Sequence, residues 1–252
     1  MPRDERAPRP GLSQAPSAED ADLELLAAGR LDVLGRLPRA SNATLLARVE
    51  RGGREALAVY KPRAGERPLW DFPDGTLCLR EVAAYLVART LGWPSVPPTV
   101  LRDGPLGVGS VQRFVEHDPA EHALSLVERF PEEFQRIAAF DVVVNNADRK
   151  AGHCLLGTDG RVHVVDHGVC FAEPPKLRTV LWDFVGEPLP PAIVADLERL
   201  AGEVRGGELG SRLASLLSPE EAAAVGRRAE RLARAATFPG PGAERPYPWP
   251  LL

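Results

Sequence analysis

Lysine, asparagine and cysteine each occur only three times in this chain of 252 residues. The cysteines (Cys78, Cys154, Cys170) are odd in number, lie far apart and form no CxxC pair, which excludes a disulfide framework and points to buried thiols in a reducing compartment. No run of 18 apolar residues occurs, so no helical membrane span is expected. The opening MPRDERAPRP lacks the apolar stretch of a secretory leader, and a cytoplasmic protein is the reading. A net charge of −4 gives no electrostatic case for nucleic-acid binding. There is no internal repeat, and a monomer is expected. Of 31 basic residues only Lys61, Lys150 and Lys176 are not arginine. In a chain that uses Arg wherever a cation serves, a retained Lys suggests a need for a compact ammonium in place of a planar fork.

What is present is concentrated in Asn145 to Gly168, NNADRKAGHCLLGTDGRVHVVDHG. An apolar run, Phe140 to Val144, precedes two Asn, Asp148, Arg149 and Lys150 within six residues. A short apolar strand then reaches the turn Thr158-Asp159-Gly160, and an alternating strand, Arg161 to Val165, returns to Asp166-His167-Gly168. An Asp-Gly turn between apolar runs predicts a hairpin. That hairpin folds Asp148 back beside Asp166, and two carboxylates facing one cavity are what magnesium and phosphate chemistry requires. On its strand Asp166 continues the face of Val162 and Val164, and an aspartate there needs a compensating cation.

The rest of the chain reads as follows. Residues 1–18 are Pro, Arg, Ala and Ser with little apolar content, a disordered tail; Ser17 is placed to cap a helix from Ala18 to Ala28 that Gly29 ends. Strands follow at Leu31 to Leu37, Ala43 to Val49 and Glu55 to Lys61, the last two joined by Arg51-Gly52-Gly53-Arg54. Alternation puts Lys61 on the face of Val59, pointing inward or lying at the strand's edge, where it would need an anion. Helical spacing recurs from Leu77 to Leu91, with Glu81 off its apolar stripe. Strands at Val96 to Leu101 and Gly109 to Val115 lead through a polar linker to a helix, Pro131 to Val144. Two further helices, Pro191 to Val204 and Pro219 to Ala236, the second capped by Ser218, precede a terminal stretch with five prolines that is expected to lie extended on the surface.

Asp148-Arg149-Lys150 with His153, the hairpin, and Asp166-His167-Gly168 resemble the catalytic and metal-binding segments of the phosphatidylinositol 3-/4-kinase-like superfamily. From about Asp22 the chain is similar to a family of small actinobacterial proteins of that kind. The resemblance implies an α+β, two-lobed kinase-like fold: residues 19–116 an N-lobe of antiparallel sheet plus helix, 117–238 a mainly helical C-lobe, 239–252 an extended tail. It implies ATP with Mg²⁺ or Mn²⁺ between the lobes. Lys61, held by Glu81, would meet the phosphates; Ser41 and Asn42 would lie at the tip of the hairpin that covers them; Gln112, Phe114 and Val115 would form the hinge at the adenine. Asp148 would act as base or orient the acceptor hydroxyl, Lys150 would counter the developing charge, and Asp166 and His153 would hold metal. Lys150 stands where such kinases carry His, and His153 where they carry a metal-binding Asn. Two of the three Lys and all three Asn fall within the nucleotide-facing segments of this scheme.

Three readings remain beside one another. The first is an ATP-dependent phosphotransferase of unknown acceptor, with neither a basic cluster for lipid head groups nor a nucleic-acid surface. The second, motivated by His153, is a nucleotide-binding pseudokinase that regulates or scaffolds. The third, zinc at His153, Cys154, His163, His167 and Cys170, is set aside because their spacing fits no finger and alternation places His163 and His167 opposite Asp166.

Overall fold

Ser17 accepts a hydrogen bond from the Asp20 amide and opens helix α1 (Ala18–Ala28) in a computed structural model that describes residues 17–38, 42–242 and 245–252. Ser17 and Ala18 are therefore structured, two residues inside the expected tail, whose remainder lies outside the described residues. Strands β1 (Arg30–Arg36), β2 (Leu45–Arg51) and β3 (Arg54–Pro62) follow. The β2–β3 turn uses Gly52 and Gly53 at φ +57° and +79°, the left-handed pair that a two-residue hairpin turn demands. A second hairpin, β4 (Thr99–Gly104) and β5 (Gly107–Arg113), completes an antiparallel sheet in the order β1-β2-β3-β5-β4.

One face of this sheet is the core. Ala56, Ala58 and Tyr60 of β3 are buried with Ala47, Val49 and Val111 beneath Leu25 and Leu26 of α1. Strand alternation therefore sends Val59 and Lys61 to the opposite face. Alternation had been read correctly, but the core lies on the other side: Val59 and Lys61 share their face with their register partners Gln112 and Ser110. That face roofs the space between the lobes.

Helix α2 (Leu77–Leu91) lies between the sheet and the helical half and contacts β4, β5, α5 (Pro191–Gly206) and α6 (Glu208–Ala214). Enclosure on several sides buries even Arg80 and Glu81, so the one-sided stripe understated how much of this helix is covered. The helical half continues with α3 (Ala123–Leu126), α4 (Pro131–Val144), the hairpin of β6 (Cys154–Leu156) and β7 (Val162–Val164), and α7 (Pro219–Ala235). The short α6 had no counterpart in the sequence reading. Phe134, Ile137 and Phe140 of α4 sit in one core with Leu197, Leu200, Leu213 and Val225, all of them fully buried. Truncating one such Phe to Ala costs about 3–5 kcal/mol. Ser218 caps α7 reciprocally with Glu221, whose other carboxylate oxygen accepts from buried Arg80 at 2.7 Å and ties α7 to α2.

The C-terminal stretch departs from expectation in one respect. Among its described residues it has no helix or strand, as its prolines dictate, but it bends at Tyr247, Trp249 and Pro250 where an extended run was expected. Pro246 O accepts from Thr179 N–H at 3.0 Å, and Leu251 O accepts from Ala151 N–H at 2.8 Å.

Candidate active site

Helix α4 ends at Asn145, whose left-handed backbone (φ +51°) turns the chain out of the helix, a conformation Asn tolerates better than most residues. The Asn145 amide donates to Ala172 O and Pro174 O at 2.8 Å each and accepts from Lys176 N–H. Asn146 donates to Asp141 Oδ1 at 2.9 Å and accepts from Asp148 N–H at 3.0 Å. Both amides thus brace the loop, and Asn145 is also its turn residue. Behind them lies a buried network. Asp141 and Arg149 are completely buried and meet through Nε and Nη2 at 2.9–3.2 Å. Arg149 also donates to Val165 O and to His167 Nε2 at 2.7 Å. Because guanidinium only donates, His167 Nε2 must be the acceptor, so the ring's proton sits on Nδ1. Burial holds that ring's pKa well below the usual histidine range, with Arg149 and Lys61 adding to the effect.

In front of this network the chain turns again at Asp166 (φ +63°). Strand β7 stops at Val164, so backbone geometry rather than strand alternation aims Asp166. The same break parts His163, held by Asp159 and Ser95, from His167, buried against Arg149. Asp166 Oδ1 lies 2.8 Å from Lys61 Nζ and Oδ2 lies 3.3 Å from His153 Nε2. Lys61 also pairs with Glu81, whose other oxygen accepts from His167 N–H at 3.0 Å. Burial opposes the Lys61 charge, but Asp166 and Glu81 outweigh it and raise its pKa. Lys61 in turn depresses the pKa of Asp166, with partial desolvation of that carboxyl working the other way. Burial raises Glu81 despite its Lys61 partner. It lowers His153 to about 4 even though Asp166 pulls the other way, so its imidazole is neutral at pH 7. Asp148 stands beside this group, 3.2 Å from Lys150 Nζ. Its pKa is raised by burial, with Lys150 working against the shift and Asp166 adding to it. Among the described residues no three His, Cys, Asp or Glu side chains converge as a metal cage.

Residues 101–194 match the family model for phosphatidylinositol 3- and 4-kinase. Over 94% of the chain the sequence is 42% identical to Protein Rv2133c of Mycobacterium tuberculosis, 98% of which is covered. The chain belongs to the phosphatidylinositol 3-/4-kinase-like family. Within it, 48% of this kinase-like chain aligns at 34% identity with phosphatidylinositol 4-kinase gamma 4 of Oryza sativa, spanning a quarter (25%) of that longer protein. The fold is similar to that of CtkA, a proinflammatory kinase of Helicobacter pylori, with a TM-score of 0.51 at 12% identity over 84% of this chain and 94% of that one. The two-lobed kinase-like architecture expected from the sequence is the one observed.

The kinase-like chain brings Lys61, Glu81, Asp148, Lys150, His153 and Asp166 together and distributes the remaining expected residues differently. Ser41 lies outside the described residues. Asn42 accepts from Arg67 N–H at 2.9 Å, an engagement with the β3–α2 loop. Gln112 is buried and donates to Thr99 Oγ1 at 2.9 Å. Phe114 and Val115 are half-buried between the lobes, and Val115 O contacts the His117 ring at 2.8 Å. A cavity of about 860 Å³ borders this hinge at Phe114–Glu116, yet none of the six clustered side chains lines it. The sequence reading assigned Asp141 no role. A carboxylate inside the apolar run Phe140 to Val144 was the available signal, since such a charge needs a buried partner.

Proposed function

We propose that this protein is an ATP-dependent phosphotransferase that binds ATP with Mg²⁺ or Mn²⁺ between its lobes. The observation that carries the reading is Lys61, held on the inner face of β3 by a buried glutamate of α2 and directed at Asp166. Lys61 binds the α- and β-phosphates. Asp166 and His153, 3.3 Å apart, would hold the cation, since a neutral imidazole has the lone pair that ligation needs. A cation held there would offset the negative charge of the phosphates. Phe114 and Val115 flank the adenine with Gln112 behind them, and Ser41 and Asn42 border the phosphates. Residues 19–116 and 117–238 are the two lobes. Asp148 orients the acceptor hydroxyl and takes its proton while the oxygen forms its bond to the γ-phosphorus, and the bond to the β–γ bridging oxygen breaks to release ADP. Lys150 counters the charge that develops on the transferring group.

ATP with Mg²⁺ or Mn²⁺ should stabilise the fold by about 2.7 kcal/mol at a hundredfold excess over Kd, and Lys61→Met should remove most of that gain. A melting temperature unmoved by millimolar ATP with either metal would overturn the proposal. A second reading, nucleotide binding without transfer, is favoured by one contact: Lys150 lies 3.2 Å from the Asp148 carboxylate that would serve as base. Phosphate incorporation into the chain or any acceptor, followed by mass, decides between the two.

A further inference from the structure

The catalytic loop and the segment after Gly168 lie side by side. Arg149 N–H donates to Arg178 O, and Val180 N–H donates back to Arg149 O. Along the outer edge of this pair the protein presents donors: Thr179 N–H, the Trp182 indole and Ala151 N–H. All three are taken by the C-terminal stretch. Pro246 O accepts from Thr179 and, at 3.3 Å, from Trp182, and Leu251 O accepts from Ala151. The occupant is matched to the edge. Proline stands at 246, 248 and 250, removing every second amide donor, and the backbone bends at Tyr247, Trp249 and Pro250. Pro248 is buried, while Tyr247 and Trp249 on either side of it are exposed. Docking of a proline-rich segment against aromatic side chains is a recurring mode of polypeptide recognition.

We propose that this groove is a binding site for a proline-rich polypeptide segment, and that residues 246–251 are its occupant in cis. Ala151 adjoins Lys150 and lies three residues from Asp148. If the phosphotransferase reading holds, a polypeptide that displaces the tail therefore also opens the approach to the reacting carboxylate. A tethered segment works at an effective concentration of about a millimolar. A site with a Kd of about 0.1 mM is then about nine-tenths filled in cis, and the free groove shows roughly tenfold tighter apparent binding of a competitor.

The test uses a labelled peptide with the sequence of residues 245–252, the full chain, its Pro248→Asp variant and a chain ending at Gly240, all without nucleotide. Expected are about tenfold stronger peptide binding to Pro248→Asp and to the shortened chain than to the full chain, and faster amide exchange at Ala151 and Thr179 in both. The same peptide with alanine at all three prolines should bind at least fivefold more weakly. Equal peptide binding to all three chains, unchanged exchange at both amides, or full affinity of the alanine peptide would each overturn the proposal. No ATP enters these measurements, so a protein that fails the ATP-binding test can still pass this one, and the reverse.

Discussion

Asp141 and Asp148 lie seven residues apart, and their surroundings could hardly differ more. Asp141 has no exposure and is saturated by Arg149 and Asn146. Asp148 is about one-third exposed and has a single lysine beside it. The rear network is closed: its charges neutralise one another, and its hydrogen bonds hold the loop after α4 to Val165 and His167. The front cluster is open. Lys61 and His153 are mostly covered, but the Asp166 carboxylate between them is half exposed. A sealed ion pair serves geometry, because nothing can reach it. An open one is available to a ligand that replaces its partners.

The strongest way to break that comparison is to open the rear. Asp141→Ala leaves the Arg149 charge buried without its counter-ion and should destabilise the fold by about 3–5 kcal/mol in denaturant unfolding. A loss below about 1 kcal/mol would mean that water already reaches Arg149. At the front the expectation reverses. Asp148→Asn should leave stability and ATP binding nearly unchanged while lowering transfer about 10²–10³-fold; undiminished turnover would remove Asp148 from its role. Asp166→Asn should instead abolish the metal-dependent part of ATP binding, read as the difference in melting shift with and without Mn²⁺.

The smallest effect sharpens the boundary between the two regions. The folded protein keeps His153 neutral down to about pH 4, whereas a free imidazole takes up a proton below about 6.5. Stability from this group is intact above pH 6.5 and is lost as pH falls towards 4. At pH 5 the loss is about 2 kcal/mol. His153→Asn should recover about that much at pH 5 relative to pH 7.5 in paired denaturant curves, with His167 accounting for the acid sensitivity that remains. Identical pH profiles for the two proteins would show that His153 is more exposed to water than its burial indicates.

Several parts of this site were legible in the residues. The Asp-Gly turn and its flanking apolar runs announced the hairpin that returns Asp166 towards Asp148, and the rarity of lysine singled out Lys61 and Lys150. Asn145 serves as both turn and brace, whereas Asn146 only braces. Glu81 could be assigned only through resemblance, because a helix enclosed on several sides has no single polar stripe. Asp141 and His167 were invisible as scaffold for a related reason: whether a polar side chain within an apolar run is partnered depends on what the fold brings to it from far along the chain.

The sequence by itself determined the local conformations: where helices begin at Ser17 and Ser218, where Gly52-Gly53 turns the hairpin, and that proline denies the last residues a helix. These follow from dihedral preferences and hydrogen-bonding groups within a few residues of each other. Tertiary structure alone decided which face of β3 is core, because alternation fixes only that Lys61 and Tyr60 oppose one another, and the placement of α1 makes Tyr60 the buried one. It also decided the fate of each charge and the docking of the tail on the catalytic loop. Those outcomes depend on partners as far apart as Lys61 and Asp166, which only the folded chain sets side by side.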